Sequence, residues 1–170
     1  MVIRVTGDVR LRDVTDGDLP LFFEQQLDPV ANRMAAFTAK NPSDRDAFAA
    51  KWAKILGDQA ATKKTILVGG RVAGNVLSFV APWSGKPEVS YWLGREYWGK
   101  GIATEALSQF LRHVRTRPLY ARVAKDNTGS IRVLEKCGFA VVGEEKGYAN
   151  ARGEEVGEFV LELRVAVPEP

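Results

Sequence analysis

Two glycines flank a lysine in the stretch REYWGKGIATEAL, residues 95 to 107. From Ala103 onward apolar residues recur at intervals of three and four, which predicts an amphipathic helix. Upstream, VSYWL at 89 to 93 has the β-branched and aromatic composition of a strand. Glycines between a strand and a helix let an anion approach the unpaired amides of the helix start. The segment from Gly99 to Thr104, called the glycine loop below, therefore predicts a diphosphate site.

Two familiar phosphate-binding motifs fit this segment poorly. A P-loop requires Lys and Ser or Thr directly after its last glycine, whereas Gly101 is followed by Ile102 and Ala103. A dinucleotide fingerprint requires a third small residue where Thr104 stands, and no isolated acid is evident at the end of a following strand. The P-loop interpretation fails, and the dinucleotide interpretation stays open with little support.

Composition restricts the class of protein. The 170 residues predict one domain spanning 1–170, and no apolar run approaches the roughly 20 residues that cross a bilayer. The N-terminus lacks the apolar stretch of a signal peptide, so we expect a cytoplasmic protein that does not bind membranes. One cysteine and one histidine exclude a cluster of the usual zinc ligands, so no metal is expected. The basic run RHVRTR (112–117) lies where a helix should end, which favours a dipole interaction over nucleic-acid binding.

The first half of the chain predicts two helices and a hairpin. A strand is predicted at 9–14, then a helix beginning near Asp16 or Asp18 with Leu27 among its core residues. A second helix is predicted with Asn41 as its N-cap and Pro42 at its first position. The segment 27–40 has mixed signals, and we expect an irregular connection that lines a cleft. Strands at 65–68 and 71–80 are separated by two glycines suited to a tight hairpin turn.

The second half predicts a βαβ unit and a strand pair. LYARVA (119–124) follows the predicted helix, so this strand should run parallel to 89–93. A short helix follows, capped by Asn127 or Thr128 and ended by Gly138, with Phe139 packed back on Leu134. Two strands around a turn at 151–154 complete the chain, with Phe159, Leu161, Leu163 and Val165 expected on one face.

Two motifs in this order resemble a known family, the GNAT superfamily of N-acetyltransferases, and within it the RimJ/RimL-like branch. WGKGIA is similar to the family signature [R/Q]-x-x-G-x-[G/A], with Trp98 in its first place, and N-x-x-S followed by RVLEKCGF is similar to a second element. The resemblance covers nearly the whole chain. It implies an α/β fold with a mixed, mostly antiparallel central sheet of about six to seven strands, helices on both faces, and one parallel strand pair splayed around an acetyl-CoA site.

The resemblance implies acetyl-CoA as co-substrate. Its diphosphate would lie on the backbone amides of the glycine loop, with Lys100 near it or merely solvated. Free amides of the preceding strand would hold the acetyl carbonyl and the pantetheine arm, and Asn127 would bind the coenzyme or cap its helix. The implied binding residues are Tyr91, Trp92, Leu93, Trp98, Gly99, Lys100, Gly101, Ile102, Ala103, Thr104, Asn127 and Ser130.

Acetyl transfer to an amine requires a base and a group that stabilises the leaving thiolate. Glu88 opens the strand 88–93, similar to where some family members carry a catalytic glutamate, although a surface acid would look the same. Many family members place a tyrosine in the last helix, where this chain has Leu134. Ser130 is the predicted replacement, with a helix cap as the alternative role. Cys137 and His113 are expected to be structural.

The resemblance implies a primary amine as acceptor without identifying it. A peptide or protein N-terminal α-amine needs only a modest base, and small amines or antibiotics are the alternative acceptors. A non-catalytic acyl-CoA sensor would keep the glycine loop and Asn127 but need neither base nor acid. A nucleic-acid-binding domain is not expected. A homodimer is expected on family resemblance alone.

Overall fold

A computed structural model describes residues 8–165. Seven strands are present: β1 (Val9–Asp13), β2 (Thr62–Val68), β3 (Arg71–Val80), β4 (Pro87–Leu93), β5 (Leu119–Ala124), β6 (Ala140–Ala149) and β7 (Glu154–Leu163). Five α-helices accompany them: α1 (Leu19–Gln26), α2 (Pro29–Ala35), α3 (Arg45–Gly57), α4 (Ile102–His113) and α5 (Thr128–Lys136).

The strands form one sheet in the order β1-β2-β3-β4-β5-β7-β6. All neighbouring pairs are antiparallel except β4 and β5, which the crossover helix α4 makes parallel. The predicted βαβ unit and the predicted mixed, mostly antiparallel sheet are confirmed.

The parallel pair diverges soon after it begins. Strands β4 and β5 are in register only at Glu88 and Tyr120, near the start of each strand, whereas β4 pairs with β3 along its whole length. A V-shaped gap therefore opens between β4 and β5, with its closed end at Glu88 and its open end at Leu93, next to the glycine loop.

Each face of the sheet has its own apolar core. On one face α4 and α5 pack through buried residues that include Leu107, Phe110 and Leu134. On the other, Phe22 and Phe23 of α1 pack with Phe48 and Trp52 of α3. Burial of each such large apolar side chain contributes roughly 1.5–3 kcal/mol, so both cores hold the sheet rigid around the gap.

Three details of the helical layer differ from the sequence-based predictions. The N-cap of α3 is Asp44, whose Oδ1 accepts the Ala47 amide at 3.0 Å, so the prediction of Asn41 as N-cap was wrong. Asn41 instead accepts the Ser43 amide at 3.1 Å and forms a turn before the helix. The segment 27–40 contains the helix α2, and Leu27 is 41% exposed because it ends α1 at the surface.

The predicted turns are confirmed in their backbone angles. Gly69 and Gly70 have φ of 57° and 80°, as a tight hairpin between β2 and β3 requires. At the end of α5, Gly138 has φ of 98° and the Phe139 amide donates to the Leu134 carbonyl at 3.0 Å. Val165, in contrast, is 67% exposed and lies beyond the end of β7 at Leu163, so the prediction that it shares one strand face with Phe159, Leu161 and Leu163 was wrong.

Within residues 8–165, no helix combines the length and the apolar composition needed to cross a bilayer.

Candidate active site

The glycine loop leaves the start of α4 without a partner from the protein. Gly99 and Gly101 have φ of 72° and 80°, a left-handed conformation that side chains rarely adopt. Gly101 is the N-cap, and no side chain caps the helix. The first intrahelical bond runs from the Glu105 amide to the Gly101 carbonyl at 3.1 Å. The amides of residues 102 to 104 therefore lack helical acceptors and form, with the helix dipole, a site suited to an anion.

Trp98 links the glycine loop to the end of β4 through a hydrogen bond. Its Nε1 donates a 2.8 Å hydrogen bond to the carbonyl oxygen of Leu93, and its half-buried ring packs against the core of the α4 face. Lys100, in contrast, is exposed and makes no ion pair with the residues that the structure describes. Trp98 thus fixes the loop to the end of β4, while Lys100 projects from it.

The divergence of β4 and β5 leaves backbone amides unpaired in the gap. The Gly94 amide donates to Ala73 at 2.8 Å, on the β3 side of the sheet. Because successive amides of a strand point to alternate sides, those of Tyr91 and Leu93 point towards β5, and that of Trp92 points towards β3. No register with β5 exists at this level. The structure therefore offers two free amides, at Tyr91 and Leu93, within the strand for which the family resemblance implied free amides.

Glu88 is buried at the closed end of the gap. It is 4% exposed, and its Oε2 accepts hydrogen bonds from Trp83 Nε1 at 3.0 Å, from Ser84 Oγ at 3.1 Å and from Arg122 Nε at 3.1 Å. Its Oε1 has no hydrogen-bond partner among residues 8–165. Glu88 is therefore not the surface acid that the sequence left open, and one of its oxygens remains able to accept a proton.

Arg122 joins three carboxylates on this face of the sheet. Besides Glu88 it binds Glu145 and, at 3.1 Å, Glu158. Burial opposes its charge, but the hydrogen bonds that it donates to these carboxylates raise the pKa of the Arg122 guanidinium. Burial also raises the pKa of Glu158, against the effect of Arg122. The cluster combines three carboxylates with one guanidinium, so its excess of acidic groups suits a cationic ligand group. Sequence analysis missed it, because its members are far apart in the chain.

The hydroxyl groups of Tyr91 and Ser130 form a second polar contact beside the gap. Their oxygens are 2.6 Å apart, and burial raises the pKa of the Tyr91 phenol. The cap of α5 is Asn127, whose Oδ1 accepts the Ser130 amide at 3.2 Å. The alternative role of Ser130 as the helix cap was therefore wrong, and that of Asn127 is confirmed. Sequence analysis predicted a role for the backbone amide of Tyr91 but none for its side chain.

Cys137 and His113 lie outside this arrangement. Cys137 is buried, its Sγ lies 3.7 Å from the Thr104 carbonyl and 3.6 Å from Ser108 Oγ, and burial raises the pKa of its thiol. His113 ends α4, about 17 Å along the helix from its start, and lines a surface cavity of about 340 Å³ with Asp13 and Lys64. Both positions fit the expected structural roles.

A second cavity, of about 320 Å³, lies where α2 meets the β6–β7 turn. Asn32, Thr38 and Asn150 are among its lining residues, and Thr38 Oγ1 is buried without a hydrogen-bond partner. The predicted role of segment 27–40 in lining a cleft is consistent with this position. Among residues 8–165, no group of three or more histidines, cysteines and acids could hold a metal ion.

Comparison with known proteins identifies the family. Residues 8–140 match the model of the acetyltransferase (GNAT) domain, so the chain belongs to the GNAT acetyltransferase family. Among curated proteins, an uncharacterized N-acetyltransferase p20 from Bacillus licheniformis is 31% identical over 84 residues, which are 47% of this chain and 47% of that protein. The chain thus matches about half the length of this relative.

Solved structures share the fold. RimJ from Mycobacterium smegmatis, in complex with CoA-disulfide, has a TM-score of 0.77 at 21% identity and covers 92% of this chain and 82% of its own. Spermidine N-acetyltransferase from Vibrio cholerae, in complex with CoA and spermine, has a TM-score of 0.74 at 19% identity. The match covers 92% of this chain and 96% of the spermidine N-acetyltransferase chain. These similarities confirm the predicted GNAT fold.

Proposed function

We propose that this protein is an N-acetyltransferase that moves the acetyl group of acetyl-CoA to a primary amine by direct attack on the thioester. The observation that carries the proposal is the uncapped start of α4, held by Gly99 and Gly101 at the open end of the gap between β4 and β5. One elongated ligand with a diphosphate at one end fits both features. The CoA-bound neighbours and the family support this choice.

The diphosphate would be bound mainly by backbone amides. The amides of Gly99 to Thr104 would receive it, and an exposed Lys100 would add little, since a solvent-exposed ion pair contributes about 0.2–1 kcal/mol. The free amides of Tyr91 and Leu93 would hold the pantetheine arm and the acetyl carbonyl. Trp92 and Trp98 would act through the strand end and the loop that they support.

Glu88 is the proposed general base and Ser130 the proposed donor to the leaving sulfur. The amine nitrogen bonds to the carbonyl carbon, and the C–S bond then breaks with its electron pair on sulfur. The proton lost by nitrogen passes to Glu88 directly or through water. The closed end of the gap supports this role for Glu88, because a thioester in the gap would approach it. Burial of Glu88 also shields the proton transfer from bulk water.

The acceptor we favour is the α-amine of a peptide or protein, a preference supported by the resemblance to the RimJ/RimL-like branch. A lysine side chain is neutral only ~0.04% of the time at pH 7, which costs about 4.6 kcal/mol, whereas an α-amine costs roughly 1 kcal/mol. An α-amine therefore suits a base already engaged with Arg122. The second candidate is a small cationic amine, favoured by the three carboxylates around Arg122.

Two measurements test the proposal in order. Thermal unfolding with CoA and acetyl-CoA tests binding, because a ligand at 100 times its Kd stabilises the fold by about 2.7 kcal/mol. Release of free CoA thiol over a panel of N-terminal peptides, polyamines and amino sugars then tests turnover. Stabilisation without thiol release from any acceptor would instead support a non-catalytic acyl-CoA sensor. No stabilisation by either ligand would contradict the proposed function.

A further inference from the structure

The 2.6 Å contact between Tyr91 Oη and Ser130 Oγ joins the two sides of the gap. Tyr91 belongs to β4 and Ser130 to α5, which follows β5. Leu134, one turn further along α5, is buried in the apolar core. The contact therefore brings a phenol from the strand to a helix residue that faces the proposed thioester site.

The other hydrogen bonds of Ser130 leave its hydroxyl available to accept from Tyr91. Asn127 accepts the Ser130 amide, so the Ser130 hydroxyl is not needed as a cap. The Tyr91 phenol is partly buried and keeps its proton, so its hydroxyl can donate to a neighbouring acceptor. A serine hydroxyl accepts one hydrogen bond while donating its own proton to another atom. Either hydroxyl can donate in this contact, and with Tyr91 as the donor the Ser130 proton is left for a third group.

We propose that Tyr91 is a positioning residue that directs the Ser130 hydroxyl towards the thioester sulfur of bound acetyl-CoA. This inference rests on the proposed function. As the C–S bond breaks, the electron pair goes to sulfur, and Ser130 donates a hydrogen bond to it without losing its proton. The thiolate then takes its proton from water. Tyr91 stays neutral, because a phenol is a weaker acid than a thiol and full proton transfer to the thiolate would be unfavourable.

Steady-state kinetics of Tyr91→Phe, Ser130→Ala and the double variant test this inference. We expect Tyr91→Phe to lower kcat about ten-fold, with KM for acetyl-CoA within about two-fold, because a transition-state interaction is lost. In the Ser130→Ala background the same change should have no further effect, since Tyr91 acts through Ser130. Tyr148→Phe is the matched control, because this side chain is 65% exposed.

A second readout separates this role from a structural one. The loss of kcat in Tyr91→Phe should be larger for acetyl thioesters whose thiol has a higher pKa, since a poorer leaving group depends more on the hydrogen bond. A wild-type kcat in Tyr91→Phe, an equal loss in the Ser130→Ala background, or a loss independent of the thiol would each overturn the inference alone. Absence of thiol release by the wild-type protein would overturn the proposed function as well.

Discussion

The indole Nε1 of Trp98 and the carbonyl oxygen of Leu93 are joined by a 2.8 Å hydrogen bond that links the glycine loop to the last residue of β4. The bond crosses the turn that changes the chain from strand to helix. It ties the start of α4 to the open end of the gap. A bond that holds both features in place lowers the ordering cost for a coenzyme that occupies them.

Replacing Trp98 by Phe should weaken CoA binding about ten-fold, because the loop loses a hydrogen bond worth about 1 kcal/mol and its fixed orientation. Isothermal titration with CoA measures the change. Trp83→Phe is the control, since it also removes one indole hydrogen bond, but at Glu88, at the other end of β4. Equal CoA affinity in Trp98→Phe and the wild-type protein would contradict a role for the Trp98–Leu93 bond.

Replacing Gly99 by Ala should lower CoA affinity at least ten-fold, whereas Gly70→Ala should leave it unchanged. Both glycines have positive φ, 72° and 80°, and a Cβ at either position would meet no atom within 4 Å. Both changes should therefore cost a similar ~1–2 kcal/mol of stability, measured by urea unfolding. Any difference in CoA affinity between the two variants therefore reports the contribution of the glycine loop to CoA binding rather than a loss of stability. A similar affinity in the two variants would exclude the loop from the binding site.

Replacing Glu88 by Gln should lower turnover mainly below the pKa of the acceptor amine, where most of the amine is protonated and a base is needed. Gln keeps an oxygen for the donors Trp83, Ser84 and Arg122, so the fold should be retained. Glu144→Gln is the control, because this carboxylate is exposed and paired with Lys125. An unchanged pH–rate profile in Glu88→Gln would end the assignment of Glu88 as the base.

Replacing Asp18 by Asn should destabilise the fold by roughly 2–4 kcal/mol at pH 7. Asp18 is buried and accepts from Arg12 at 2.7 Å, from the Thr15 amide at 2.9 Å and from Thr65 Oγ1 at 2.7 Å. Asp13→Asn is the control, since Asp13 is 86% exposed and solvent screens its pair with Lys64, so its loss should change stability little.

The effect of Asp18 should depend on pH with a definite sign. Arg12 holds the pKa of the Asp18 carboxyl well below its usual range, despite burial. The unfolded chain therefore takes up this proton first, near the ordinary pKa of about 3.9. The stabilisation is complete above that value and is lost as the pH falls below it. Urea unfolding at pH 7 and pH 3 should show a smaller difference between wild type and Asp18→Asn at pH 3; an equal difference would contradict the ion pair's role.

The thiol of Cys137 should not react with a thiol reagent until the protein unfolds. It is 5% exposed, and burial raises its pKa, so little thiolate forms at pH 8. Titration with a chromogenic disulfide, with and without denaturant, measures its accessibility. A fast reaction in the native protein would contradict the packing of α5 on α4 and would also add a background signal to the thiol-release assay.

Local patterns were sufficient to predict most of the fold. The apolar spacing of α4, the two glycines of the β2–β3 hairpin and the Gly138 helix end each depend on a few neighbouring residues, and each is confirmed. The N-cap of α3 was predicted at Asn41 because its sequence fits a cap as well as Asp44 does. In the structure Asn41 accepts hydrogen bonds from Ser43 instead, and cap preference alone does not distinguish the two residues.

The polar contacts of the site were harder to predict. The glycine loop has a sequence motif because its chemistry depends on consecutive amides. The Tyr91–Ser130 contact spans 39 residues, and the Arg122 cluster joins β4, β5, β6 and β7. Alternation along β4 places Glu88 and Tyr91 on opposite faces of the sheet, but no spacing rule reveals the partners of either.

A crystal structure with CoA bound tests the central claim most directly. The account predicts that the diphosphate oxygens lie within hydrogen-bond distance of the backbone amides between Gly99 and Thr104, with the pantetheine arm between β4 and β5. A diphosphate bound elsewhere on the protein, with these amides facing solvent or the protein's own side chains, would contradict it.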